Sequence, residues 1–233
     1  MTRGRLFALG LGPGDPDLIT VRARSILQHA PTLFVPVRRP GGRSYVLDIV
    51  SGLIDTSRQR VEVLPFPAGT WQEHVAKIVD ELGRGDAAFL TEGDPLFYST
   101  FIDVLGVLRA EYPDVGVQVV PGIASPMAAA AAIGWPLADD SQRLAVLSAM
   151  YEVDTLSHTL REFDTVVLLK VSPVLHRALD LIDTAGLGDR VVFARRIGRP
   201  NQCVLVGSRS IRSAPEAVLN DYFSLLIVRS DAV

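Results

Sequence analysis

The sequence predicts an α/β protein made of two α/β domains, residues 1–120 with a mostly parallel sheet and residues 121–233 with a mixed one. Three observations carry that expectation. Short apolar runs alternate with helical periodicity through the first half, as in parallel sheets covered on both faces. Pro121-Gly122 interrupts this alternation and reads as a hinge. Near the C-terminus, three strand-like runs follow one another without a convincing helix, which predicts antiparallel pairing there.

Arg5 to Leu11 is a near-continuous apolar run, the pattern of a buried strand. After the turn Gly10-Leu11-Gly12-Pro13-Gly14-Asp15-Pro16, Asp15 can cap a helix with Pro16 at its first position. That helix is expected to reach about His29, burying Ile19, Ala23, Ile26, Leu27 and Ala30. Thr32 to Val37 is a second strand, and Arg38 to Arg43 a basic loop. Ser44 opens a helix carrying Val46, Ile49, Val50 and Leu53. Arg60 to Leu64 reads as a strand stopped by Pro65-Phe66-Pro67. Thr70 and Glu73 have capping-box spacing, ahead of Val75, Ile78, Val79 and Leu82. Ala87 to Leu90 is a buried strand, and a helix follows from near Ser99. Val117 to Val120 closes the first half.

In the second half, Ser125 to Ile133 reads as a closely packed helix ended by Gly134-Trp135-Pro136. Strands are expected at Arg143 to Leu147 and Thr165 to Val171, with one helix from Val153 to Phe163 between them. Val174 to Ala185 is a further helix. Arg190 to Ala194, Val204 to Gly207 and Tyr222 to Val228 are the last strands.

Composition excludes several classes. A net charge of -3 gives no general reason to expect nucleic acid or an anionic membrane as partner. Cys203 is the only cysteine, so an intrachain disulfide and a cysteine-built zinc site are ruled out. No signal-peptide pattern or membrane-length apolar run is evident, and the cytoplasm is the expected location. The four histidines are dispersed over predicted helices, so no metal site is assigned. Trp71 and Trp135 flank predicted helices and read as packing anchors.

Chemistry is expected at two glycine turns. Gly10 to Pro16 ends the first strand, and Thr91-Glu92-Gly93-Asp94-Pro95 ends the Ala87 strand. Open α/β sheets hold ligands where strands end in such turns, so the two are expected to share one small ligand. A tight turn without a ligand would explain the first loop alone, and Asp94 with Pro95 could serve only as a helix start. A dinucleotide site is disfavoured: the spacing is Gly-x-Gly-x-Gly, Pro13 removes a backbone donor, and the second strand ends in Val37-Arg38 with no ribose-binding acid.

The first loop, the stretch Thr91 to Phe101, and Val119-Val120-Pro121-Gly122-Ile123 followed by Ser125 closely resemble the cobalamin-pathway tetrapyrrole methyltransferases. The resemblance covers essentially the whole chain. Within that family, Phe97-Tyr98-Ser99-Thr100 points to methylation of a meso carbon on a reduced tetrapyrrole.

The resemblance implies a homodimer, not of Rossmann type, that binds S-adenosylmethionine (SAM) in a cleft between its two α/β domains and releases S-adenosylhomocysteine. It places Pro13, Glu92, Gly93, Asp94 and Phe97 against the cofactor, with Ala124, Ser125, Lys170 and Ile197 contributing from beyond the hinge. Gly12, Tyr98, Ser99 and Thr100 are placed on the substrate side.

A substrate of this class carries many carboxylates, which call for arginine. Arg38 and Arg39, with Arg43, form one candidate cluster; Arg195, Arg196 and Arg199 form another. Solvated loop charge explains any single one of them equally well. Methyl transfer from a sulfonium needs alignment above all. No catalytic residue is assigned, and Asp94, Tyr98 and Glu152 stay open as bases. Another corrin carbon, a uroporphyrinogen or a diphthamide precursor on a protein stays open as acceptor. From a different class, so does a nicotinamide-dependent oxidoreductase or a nucleotide sensor.

Overall fold

The computed structural model describes residues 3–66 and 71–230, and only the backbone of Tyr151 and Glu152. The chain divides into two compact units, Met1–Ala124 and Ser125–Val233, a boundary just past the Pro121-Gly122 pair. Among the described residues, no helix is long and apolar enough to cross a membrane.

In the first unit, β1 (Leu6–Gly10) is followed by a 3-10 turn at Pro16–Leu18 and by α1 (Val21–His29). The single helix expected from Asp15 is therefore two elements, because two caps act in succession. Asp15 Oδ1 accepts from Asp17 N at 2.9 Å, and Thr20 Oγ1 accepts from Ala23 N at 3.2 Å. Next come β2 (Thr32–Val37), α2 (Tyr45–Val50) and β3 (Arg60–Pro65). Ser44 caps α2 as expected, its hydroxyl accepting from Leu47 N, whereas Leu53 lies beyond the helix.

The predicted capping box rests on Thr70, which is outside the described residues; α3 is Trp71–Glu81. The unit ends with β4 (Ala87–Thr91), α4 (Phe101–Glu111) and β5 (Val117–Val120). All pairings are parallel, in the order β3-β2-β4-β1-β5.

Successive β1 side chains go to opposite faces, as the pleat requires. Leu6 and Ala8 join a core with α3 and α4, while Leu9 and Leu11 join one with α1 and α2. Full burial of each leucine contributes about 1.5–3 kcal/mol. This two-sided cover is why β1 and β4 read as unbroken apolar runs. It also leaves the C-terminal ends of the strands as the open edge.

The second unit begins with α5 (Ser125–Ile133) and β6 (Leu144–Ser148). The single helix expected over Val153 to Phe163 is instead α6 (Ala149–Glu152), a 3-10 turn at Val153–Thr155 and α7 (Leu156–Glu162). Tightening to three residues per turn brings Val153 and Leu156 onto one face, and both enter the core. Then follow β7 (Thr165–Leu169), α8 (Leu175–Thr184), β8 (Val191–Arg195) and β9 (Cys203–Val206).

Two short helices, α9 (Ser208–Arg212) and α10 (Glu216–Leu219), precede β10 (Ser224–Arg229), where none was expected. At five and four residues they are too short to show periodicity, yet each buries one anchor, Ile211 or Leu219. The sheet order is β6-β7-β10-β8-β9. β6 and β7 pair in parallel, and β10 is antiparallel to both its neighbours, so the sheet is mixed.

Candidate functional site

The first unit brings its two glycine turns together. β1 and β4 are paired through Gly10 and Thr91, and two residues later the turns bond to each other. Gly12 N donates to Gly93 O at 3.3 Å and Gly93 N donates to Gly12 O at 2.8 Å. Below this clasp, Leu11 N donates to Thr91 O, and the buried Thr91 hydroxyl donates to Leu9 O at 3.0 Å.

The end of β5 arrives at the same place. A Cβ on Gly122 would sit 2.1 Å from Gly93 O and 2.7 Å from Gly10 C, so only glycine permits this approach. Gly93 itself has φ +62°, where a side chain is strained. Asp94 holds the assembly: Oδ2 accepts from Gly122 N at 3.0 Å and Oδ1 from Leu96 N at 2.8 Å. Gly122, expected as a hinge, is thus the close-packed third member of a backbone junction.

Around the junction stand most of the residues singled out in this half. Gly12 and Pro13 are buried, and Pro13 O accepts from the Tyr45 hydroxyl at 3.2 Å. Glu92 and Phe97 are half-buried, and Ala124 is buried with its Cα beside Gly93. The Phe97 and Tyr98 rings meet edge to face, with centroids 5.0 Å apart. Tyr98 has φ +52° and is 43% exposed. A bulky residue in that region costs on the order of 1–3 kcal/mol, a price tolerated mainly at functional positions.

The Ser99 hydroxyl oxygen accepts from Phe101 N at 3.2 Å, starting α4, whereas Thr100 makes no side-chain cap. Arg38 and Arg39 are exposed at the end of β2, on the same sheet edge and one strand away from β4. Arg43 is paired with Asp48 at 2.9 Å.

The second unit has an edge of its own. β7 and β8 flank β10, both antiparallel to it, so they end together where β10 begins. Lys170 follows β7 with φ +57°, and its N donates to Ser224 O at 2.9 Å. Its ammonium lies 5.3 Å from the centre of the Tyr222 ring. After β8, Arg196 has φ +49° and donates from N to Phe223 O, and Ile197 is buried. Asp221 is buried and accepts from Arg196 Nε at 2.5 Å and from Phe223 N at 3.0 Å.

Ser125 is half-buried at the first position of α5. The side chain of Glu152 lies outside what is described. Asp221 and Tyr222 were not among the expected residues. Asp221 stands 25 residues from Arg196, and only the pairing of β10 with β8 makes them neighbours.

The family of Tetrapyrrole (Corrin/Porphyrin) Methylases matches residues 5–210. The chain belongs to that family. It is 36% identical to the cobalt-precorrin-2 C(20)-methyltransferase of Salmonella typhimurium, over 97% of this chain and 96% of that protein. A cobalt precorrin-4 methyltransferase structure superposes with a TM-score of 0.74 at 21% identity, covering 97% of this chain and 94% of the other. A uroporphyrin-III C-methyl transferase from Thermus thermophilus, solved with S-adenosyl homocysteine, superposes with a TM-score of 0.61 at 22% identity, covering 97% and 98%. As a tetrapyrrole methylase, the protein has two α/β sheets rather than the single sheet of a Rossmann enzyme.

Proposed function

We propose that this tetrapyrrole methylase transfers a methyl group from SAM to carbon 20 of precorrin-2, metal-free or carrying cobalt, in cobalamin biosynthesis. The observation that carries the reading is the Gly12–Gly93 clasp, closed by Gly122 and Asp94, in a chain that matches a C20-methyltransferase over nearly its whole length. The residues fit a sulfonium nucleoside. Backbone stripped of side chains allows close approach, Glu92 and Asp94 supply carboxylates, and Phe97 with Tyr98 supplies an apolar wall.

Pro13, Glu92, Gly93, Asp94, Phe97, Ala124, Ser125 and Ile197 are the residues proposed to hold the cofactor. When bound, SAM supplies a methyl group already activated by its positive sulfur. The task left to the protein is alignment and exclusion of water. The clasp fixes the backbone around Gly93 before any ligand arrives. Both Asp94 oxygens already accept backbone N–H groups, which suits positioning better than taking a proton. Phe97 and Tyr98 shield the site from water. Gly12, Tyr98, Ser99 and Thr100 would face the macrocycle, with Arg38 and Arg39 meeting its carboxylates. A homodimer belongs to the same reading, supported by the family resemblance, and a cytoplasmic location is proposed with it.

Incubation with methyl-labelled SAM and each form of the macrocycle, followed by NMR, tests the reaction. Label is expected at carbon 20; label at another carbon, or none with either form, would overturn the proposal. Replacing Arg38 and Arg39 with alanine is expected to weaken macrocycle binding. Unchanged affinity would remove that cluster from the site.

A further inference from the structure

We propose that Lys170, Arg195 and Arg196 form a rim on the second unit that binds carboxylates of the tetrapyrrole. This rests on the tetrapyrrole reading above and deepens it, moving Lys170 from the cofactor to the substrate.

Asp221 is one carboxylate between two guanidiniums. Its Oδ2 accepts from Arg196 Nε at 2.5 Å, while Arg195 Nε stands 3.4 Å from the same oxygen. Its Oδ1 is taken by Phe223 N. Arg195 Nε is buried without a hydrogen-bond partner among the described residues, and its side chain is only 14% exposed. A partly desolvated guanidinium with an unmet donor and half a counter-ion is costly on its own. An incoming carboxylate beside this guanidinium would supply the missing charge.

The backbone presents these cations rather than letting them drift. Arg195 is paired with Ser224 on one side of β10, and Lys170 N bonds to Ser224 O on the other. Their backbones therefore stand roughly 10 Å apart, two interstrand spacings. Lys170 and Arg196 both adopt positive φ at the points where their strands leave the sheet. Each is held there by a backbone bond, from Lys170 N to Ser224 O at the start of β10 and from Arg196 N to Phe223 O just before it. Tyr222 lies under the Lys170 ammonium and packs edge to face on Phe223, with centroids 5.3 Å apart. Cations spaced along an edge beside aromatic rings suit a flat macrocycle with several peripheral carboxylates. The single carboxylate of the methionine end of SAM would occupy only one of them.

The test is a pair of titrations on the full chain and on Lys170→Gln and Arg196→Gln. Uroporphyrin, with eight carboxylates, and coproporphyrin, with four, are followed by fluorescence. S-adenosylhomocysteine is followed by calorimetry on the same preparations, which also reports folding. Each variant is expected to weaken uroporphyrin binding about ten-fold, the scale of one charged hydrogen bond. Coproporphyrin should lose less, the salt dependence should become shallower, and S-adenosylhomocysteine affinity should stay within about two-fold.

Unchanged uroporphyrin affinity in both variants would overturn the rim. So would weakened S-adenosylhomocysteine binding with porphyrin binding intact, or no porphyrin binding by the unaltered protein. No methyl transfer is required, so a protein that methylates a different carbon would still show the expected pattern. The carbon-20 assay and these titrations therefore fail separately.

Discussion

Gly12 and Gly93 lie 81 positions apart in the chain and exchange both of their backbone hydrogen bonds. Neither residue belongs to a strand, yet the pair continues the β1–β4 contact past the sheet and fixes two turns as one object. The ends of β1, β4 and β5 thereby become a rigid platform, whose weak points can be tested one at a time.

Gly122→Ala should be the most damaging small change. The added carbon would stand 2.1 Å from Gly93 O, and the atom it meets is backbone that cannot swing aside. We predict a loss of about 3 kcal/mol in urea unfolding, the upper end for overpacking, together with weakened S-adenosylhomocysteine binding. A variant as stable as the parent would show that the junction is looser than described.

Asp94 can be dissected by comparing alanine with asparagine. Asp94→Ala removes the acceptors of Gly122 N and Leu96 N, and about 2 kcal/mol of stability is expected to go with them. Asp94→Asn keeps one oxygen and should fall between the two. If cofactor affinity follows the same ranking, the carboxylate acts by holding the junction. If asparagine abolishes cofactor binding without changing stability, the charge itself meets the ligand.

Tyr98→Asn should separate stability from turnover. Asparagine tolerates φ near +52° better than tyrosine, so thermal stability is expected to rise by up to about 1 kcal/mol. The methylation rate should fall, because the ring that packs on Phe97 is gone. A faster variant would argue against any part for this ring.

Acid should loosen the second unit partly through Asp183. The Ser208 hydroxyl, and after it the Arg212 guanidinium, holds this carboxyl below its ordinary value of 3.8. A lowered folded value means that the contribution is complete above the ordinary range and is lost as pH falls through it. Asp183→Asn should cost less than about 1 kcal/mol at pH 7, since the pair is partly solvated. The difference from the parent should shrink on acidification below 3.8. A gap that stays constant with pH would mean the carboxylate's charge is not involved.

Most of the fold was legible because two-sided burial writes itself into unbroken apolar runs. Thr32 to Val37 and Ser125 to Ile133 match β2 and α5 residue for residue. Where one helix was expected and two elements formed, at Thr20 and at Val153–Thr155, a cap or a tightened turn interrupted the backbone without interrupting the apolar stripe. The helices α9 and α10 left no periodic signal at all.

The glycine turns could be expected to meet, because parallel neighbours end on one edge. The acid that closes them onto Gly122 read equally well as a helix start. Asp221 was invisible for another reason: its arginine partners come from a different strand, and spacing along the chain holds no record of that.

The strand order of the first unit has a consequence for how the protein is made. β1 emerges from the ribosome well before both its neighbours, β4 and β5, which lie beyond residue 86. Until then this apolar stretch of the nascent chain has no ladder to join. The platform at Gly12 is complete only after Gly122 has been synthesised. A truncated or stalled product would thus expose a sticky, unfinished strand rather than a weakly active enzyme.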